Sequence, residues 1–172
     1  MLTQRSDGVK PALLEAGIIP ALTELLRSGG ASSAAQEAQL CAVRALRFLA
    51  SDTPACRPAM HDAGLLPVLA AVLVGGSNYT AEIQMHAAET LAKFSRVYSD
   101  AILQSGAVPH LARISNDKTL PLRLRGSAVV ALSRVMSHGG PRAAAAVQAA
   151  GGKGPSMRTR VKWLARRSVG TY

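Results

Sequence analysis

The sequence predicts an all-α fold, an α-solenoid in which similar helical units stack along the chain, and three observations lead there. A short phrase recurs in register: "EAGIIPALTELL" at 15–26, "DAGLLPVLAAVL" at 62–73 and "QSGAVPHLARIS" at 104–115. Its glycines, Gly17, Gly64 and Gly106, lie 47 and 42 residues apart, and self-similarity at such a period marks helical repeat arrays. The composition agrees: hydrophobic residues make up 48% of the 172-residue chain but aromatics only 3%. Small side chains let helices approach closely, whereas sheets favour β-branched and aromatic residues.

Each unit divides into three helical pieces. The first is short, as in "PALLEAG" and "PAMHDAG", and ends at the repeat glycine, where a left-handed C-terminal cap needs no Cβ. Two apolar residues and then Pro20, Pro67 or Pro109 follow. Proline is at home in a first helical turn and disfavours helix in the residue before it, so it is expected to open the second piece. That piece stops at the Gly, Ser and Asn residues of "LLRSGG", "VLVGGSN" and "RISND".

The third piece is the longest. Apolar residues recur at Ala38, Ala42, Leu46 and Leu49, at Ile83, Ala87, Leu91 and Phe94, and at Leu124, Ala128, Leu132 and Val135. Steps of four, four and three keep each set on one helical face. Ser33 and Gln36 have capping-box spacing at the start of the first of these helices. A single unit has nothing to cover its own stripe, so the units must stack. A fourth copy begins at "AAAAVQAAG", residues 143–151, and the pattern then breaks off into "GKGPSMRTR".

These recurrent phrases, together with the "AVRALRFLA" and "AAETLAKFS" helices, resemble the armadillo repeat family over roughly residues 8–152. HEAT repeats are the alternative, but the Gly-x-x-Pro hinge favours armadillo. The resemblance implies a right-handed superhelix of about three repeats plus a truncated fourth, with units near 8–50, 51–97, 98–137 and a partial 141–152. It also implies a groove, lined by the third helices, that holds extended peptide segments of partner proteins. Importin-α-like members carry an Asn on each third helix and a Trp one turn earlier. Here the Asn position holds Phe48, Lys93 and Arg134, and the Trp position holds Arg44, Glu89 and Val130. Neither signature is present, which argues against a nuclear-import receptor. The groove instead contains Arg44, Arg47, Phe48, Glu89, Lys93 and Arg134. An Arg-rich row suits an acidic segment, because guanidinium groups bind carboxylates bidentately. The alternative is a solvated face in which Glu89 and Lys93 pair with each other at i and i+4.

The net charge of +10 is unevenly placed. Residues 1–117 hold nine Lys and Arg against ten Asp and Glu, while residues 118–172 hold eleven and none. Residues 153–172 are read as a basic tail, expected to be flexible, with Lys153, Arg158, Arg160, Lys162, Arg166 and Arg167 around Trp163. Two readings stay open: an arm for nucleic acid or acidic membrane, and a solvated tail or non-native end of the array. "GGKG" at 151–154 lacks the spacing and the preceding strand of a phosphate loop.

No apolar run approaches the ~18 residues of a membrane span, no signal-peptide core opens the chain, and two cysteines, Cys41 and Cys56, make no disulfide framework. The expectation is an intracellular protein, cytoplasmic or nuclear. His61, His86, His110 and His138 (the last expected in a loop) show no metal-ligand spacing with the cysteines, so neither metal nor cofactor is expected. No nucleophile has a His and Asp context, and every recurring residue is explained by the repeat, so no enzyme and no small-molecule substrate are expected. The reading is a protein-interaction scaffold whose partners are other proteins. Two further possibilities are self-association through uncapped ends and nucleic acid or membrane binding through the tail.

Overall fold

The structure, a computed structural model, describes residues 17–152. Every α-helix within that range falls where the repeat places one. The second pieces are α1 (Ile18–Ser28), α4 (Leu65–Val74) and α7 (Ala107–Asn116). The third pieces are α2 (Ser33–Asp52), α5 (Ala81–Phe94) and α8 (Leu122–His138). Short first pieces appear as α3 (Arg57–Asp62), entered through a 3-10 turn at Pro54–Cys56, and as α6 (Ser99–Gln104). A last helix, α9 (Gly140–Ala149), occupies the same place in the next unit. The short piece expected before Gly17 lies outside the described residues.

Gly17, Gly64 and Gly106 have φ of 71°, 71° and 75°, the left-handed region that L side chains rarely adopt. Gly151, closing α9, repeats the device at 72°. The turn lets the chain start the next helix at once, which corrects the role expected of proline. Pro20, Pro67 and Pro109 are the third residues of α1, α4 and α7, each preceded by two helical residues. The first four backbone N–H groups of a helix have no intrahelical acceptor, so a proline there forfeits no hydrogen bond. The capping box expected at Ser33 and Gln36 is also corrected. Ser32 is the cap, its Oγ accepting from the backbone N–H of Ala35 at 3.2 Å. Gln36 Nε2 instead donates to Ser77 O in the next unit at 2.9 Å. Thr80 caps α5 in the same manner as Ser32 caps α2.

The long helices α2, α5 and α8 pack side by side, and α1, α4 and α7 form a second layer against them. The core lies between the layers. Ile83, Ala87, Leu91 and Phe94 of α5 are all fully buried, as are Leu124, Ala128, Leu132 and Val135 of α8 within a per cent. On α2 the stripe is weaker: Ala42 and Leu46 are buried but Ala38 and Leu49 only half so. Among the described residues, α2 has a long-helix neighbour on one side only. The second-helix layer shows the same rule. Seven of the ten residues of α4 are buried, because α1, α7 and α5 enclose it, whereas α1 buries only Ile19, Thr23 and Leu26.

Polar ties also run from unit to unit, to carbonyls that a helix end leaves without a partner. Tyr79 Oη donates to Leu26 O of α1 at 2.9 Å. Arg113 donates to Leu73 O and Val74 O of α4 at 2.9 and 3.1 Å. Burial raises the Tyr79 phenol above its ordinary value of 10.0. Gln39, almost fully buried, sits between the loops. In the orientation that satisfies its amide, the nitrogen faces Asn78 O at 3.0 Å and the oxygen faces Gly30 N at 2.8 Å.

Two outcomes follow for stability. Leu91→Ala, which empties the centre of α5, is expected to cost about 2–5 kcal/mol in chemical denaturation. Tyr79→Phe removes one donor to α1 and is expected to cost about 0.5–1.5 kcal/mol. Because the folded phenol titrates above the unfolded one, its contribution is complete below pH 10.0 and is lost as pH rises through the folded value. The difference between native chain and Tyr79→Phe should therefore shrink in alkaline solution.

Candidate functional site

The face of the long helices turned away from the second-helix layer carries all six groove candidates. Phe48, Lys93 and Arg134 occupy equivalent positions on α2, α5 and α8, and Arg44 and Glu89 do so one turn earlier. The structure brings Arg44, Arg47 and Glu89 into one network, which also includes three residues that the sequence did not single out for this role. Arg44 reaches Glu82 at 2.5 Å with one guanidinium nitrogen, and its Nε donates to His86 Nε2 at 3.4 Å. His86 Nδ1 stands 3.4 Å from Glu89 Oε2, which is also 3.6 Å from Arg47 Nε. From the other side, Ser127 Oγ of α8 donates to Glu89 Oε1 at 3.4 Å.

Glu89 thus joins α2, α5 and α8. Its carboxylate is engaged across helices by Arg47 and Ser127, where the sequence suggested only a local pairing along α5. The consequence for function is direct. Of the three arginines expected to attract an acidic partner, Arg44 and Arg47 are already matched by Glu82 and Glu89 of the neighbouring unit. Sequence alone could have placed Glu82, His86 and Glu89 on one face by their spacing of four and three. It could not show that this face meets Arg44 and Arg47.

Phe48 has no such engagement. It is 56% exposed, a large aromatic on a mostly charged face. Arg134 NH1 donates to Ala92 O near the C-terminal end of α5 at 3.1 Å. Lys93 and Arg134 line an open depression of about 560 Å³ at the C-terminal ends of α5 and α8, with Arg57, Ala92, Ser95, Arg96 and His138. His138 is the last residue of α8, not a loop residue as expected, and Arg57 begins α3. Arg57 was missed because 36 residues separate it from Lys93 in sequence. Arg96 lies three residues past Lys93 but beyond the end of α5, outside the helical pattern that located the groove.

Cys56 is buried and Cys41 exposed. Among the described residues no three of His, Cys, Asp and Glu converge as a metal site would require. No single helix among them is long and apolar enough to cross a membrane. The tail candidates Lys153, Arg158, Arg160, Lys162, Trp163, Arg166 and Arg167 lie outside the described residues.

No protein-family model and no curated protein matches the chain. Solved structures do. An engineered protein is 28% identical, with a TM-score of 0.69 over 82% of this chain and 32% of its own. A designed armadillo repeat protein in complex with the peptide (KR)4 is 23% identical, with a TM-score of 0.69 over 82% of this chain and 56% of its own. Computationally designed armadillo repeat proteins for modular peptide recognition align at 19% identity, with a TM-score of 0.65 over 77% of this chain and 52% of theirs. This chain thus spans about a third to a little over half the length of the structures it matches. With its paired helical layers, left-handed repeat glycines and long-helix stripes, the chain has an armadillo-repeat-like fold.

Proposed function

We propose that this protein is a non-enzymatic interaction scaffold that holds an extended segment of a partner protein along the exposed face of α2, α5 and α8. The observation that carries the reading is Phe48. A phenyl ring 56% exposed within a row of charged side chains gains from being covered, and that gain is an anchor for a partner residue. The Glu89 network keeps the surface behind it in one arrangement, so less ordering is left for the binding step. Designed armadillo proteins of similar fold, one of them in complex with a peptide, support peptide binding as the use of the scaffold. The peptide of that complex, (KR)4, is basic. The Arg-bearing face of this chain points to different partners.

Extended peptides selected from a random displayed library against the full chain should bind about tenfold or more weakly to Phe48→Ala. That variant changes an exposed residue and should keep the native circular dichroism spectrum. Peptides that bind native chain and Phe48→Ala alike would reject this face as the binding surface.

A further inference from the structure

We propose that the depression at the C-terminal ends of α5 and α8 is an acidic-peptide site, where Arg57, Arg96, Arg134 and His138 take the carboxylates of a bound segment. The inference rests on the scaffold reading above and gives it a ligand chemistry. The sequence pointed to Arg44, Arg47 and Arg134 for that purpose, but Glu82 and Glu89 already pair with the first two. Among the described residues, no carboxylate pairs with Arg57, Arg96 or Arg134, and no Asp or Glu lines the depression. Positive charge is therefore concentrated here instead of being cancelled within the fold. A cleft lined by charge of one sign attracts the opposite one.

Two of the guanidinium groups are held in place. Arg57 Nε donates to Ala50 O at 3.0 Å, and Arg134 NH1 donates to Ala92 O at 3.1 Å. Each bond uses one of five N–H donors and orients a planar fork whose other donors suit a carboxylate. The volume of about 560 Å³ is in the range of ligand sites, about 300–1,000 Å³, and is too large for a lone ion to fill. The depression is open, so a chain can pass through it. Lys93 and Arg134 continue the row that begins with Phe48, so a segment anchored on that ring is led toward the cations. Among the described residues the lining contains no Phe, Tyr or Trp, the rings on which the bases of single-stranded nucleic acid stack.

The test is fluorescence anisotropy on the full chain with three labelled probes. They are an octapeptide of alternating Asp and Glu, one of alternating Lys and Arg, and a single-stranded RNA octamer. The acidic peptide is expected to bind, and to lose about tenfold in affinity with Arg96→Glu, the equivalent of one charge-assisted hydrogen bond. Arg96→Gln combined with Arg134→Gln should weaken it at least as much. Lys118→Glu, an equal change of net charge at an exposed position before the start of α8, about 24 Å along that helix from His138, should leave it within about twofold. Equal loss with Lys118→Glu would mean bulk attraction alone and overturn the proposal. So would binding indifferent to Arg96→Glu, as capture by residues 153–172 would give, or tighter binding of the RNA. If the acidic peptide fails while the basic one binds and is lost with Phe48→Ala, the scaffold reading stands and this site falls. If neither peptide binds, the site falls, and the library selection decides the scaffold reading by itself.

Discussion

Everything in this structure depends on a stripe that its own helix cannot cover. Ile83, Ala87, Leu91 and Phe94 lie on one side of α5 and are fully excluded from water only because α4 and the two flanking long helices surround them. Burying a large apolar side chain is worth about 1.5–3 kcal/mol, and that gain is collected between units as much as within them. The gradient from α1, with a single buried stripe, to α4, buried nearly all round, is the same constraint seen from the ends and the middle of the stack. It also accounts for the low aromatic content, since closely spaced helices leave room for Ala and Leu more readily than for rings.

Stacking by apolar surface alone would leave the register between units loosely defined, because hydrophobic contact has little direction. Direction comes from the polar ties. Tyr79 on Leu26 O, Arg113 on Leu73 O and Val74 O, and Arg134 on Ala92 O each bring a side chain of one unit to a helix end of the preceding one. A carbonyl near a helix C-terminus carries partial negative charge, so a cation is a fitting partner. These arginines therefore have a structural task first.

The charged face shows how the same residue types divide between structure and binding. Around Glu89, cations and carboxylates from adjoining units neutralise each other and hold three helices together. One or two turns further along, beyond Lys93, the described residues lining the depression include arginines but no carboxylate. A face that read in sequence as one Arg-rich row is thus a closed network beside a cluster of cations.

The sequence by itself determined the helical repeat: the period, the left-handed glycines and the long-helix stripes are all local patterns, set by backbone geometry and side-chain polarity within one unit. Helix starts were legible only approximately. Whether Pro67 opens a helix or sits in its first turn depends on the φ of 71° at Gly64, which the residue names permit but do not require. Which carboxylate meets which arginine was decided by tertiary structure. Arg44 and Glu82 are 38 residues apart, and Arg57 and Arg134 are farther still. Electrostatic pairing depends on distance in space, and only the stacking of one unit on the next supplies that distance.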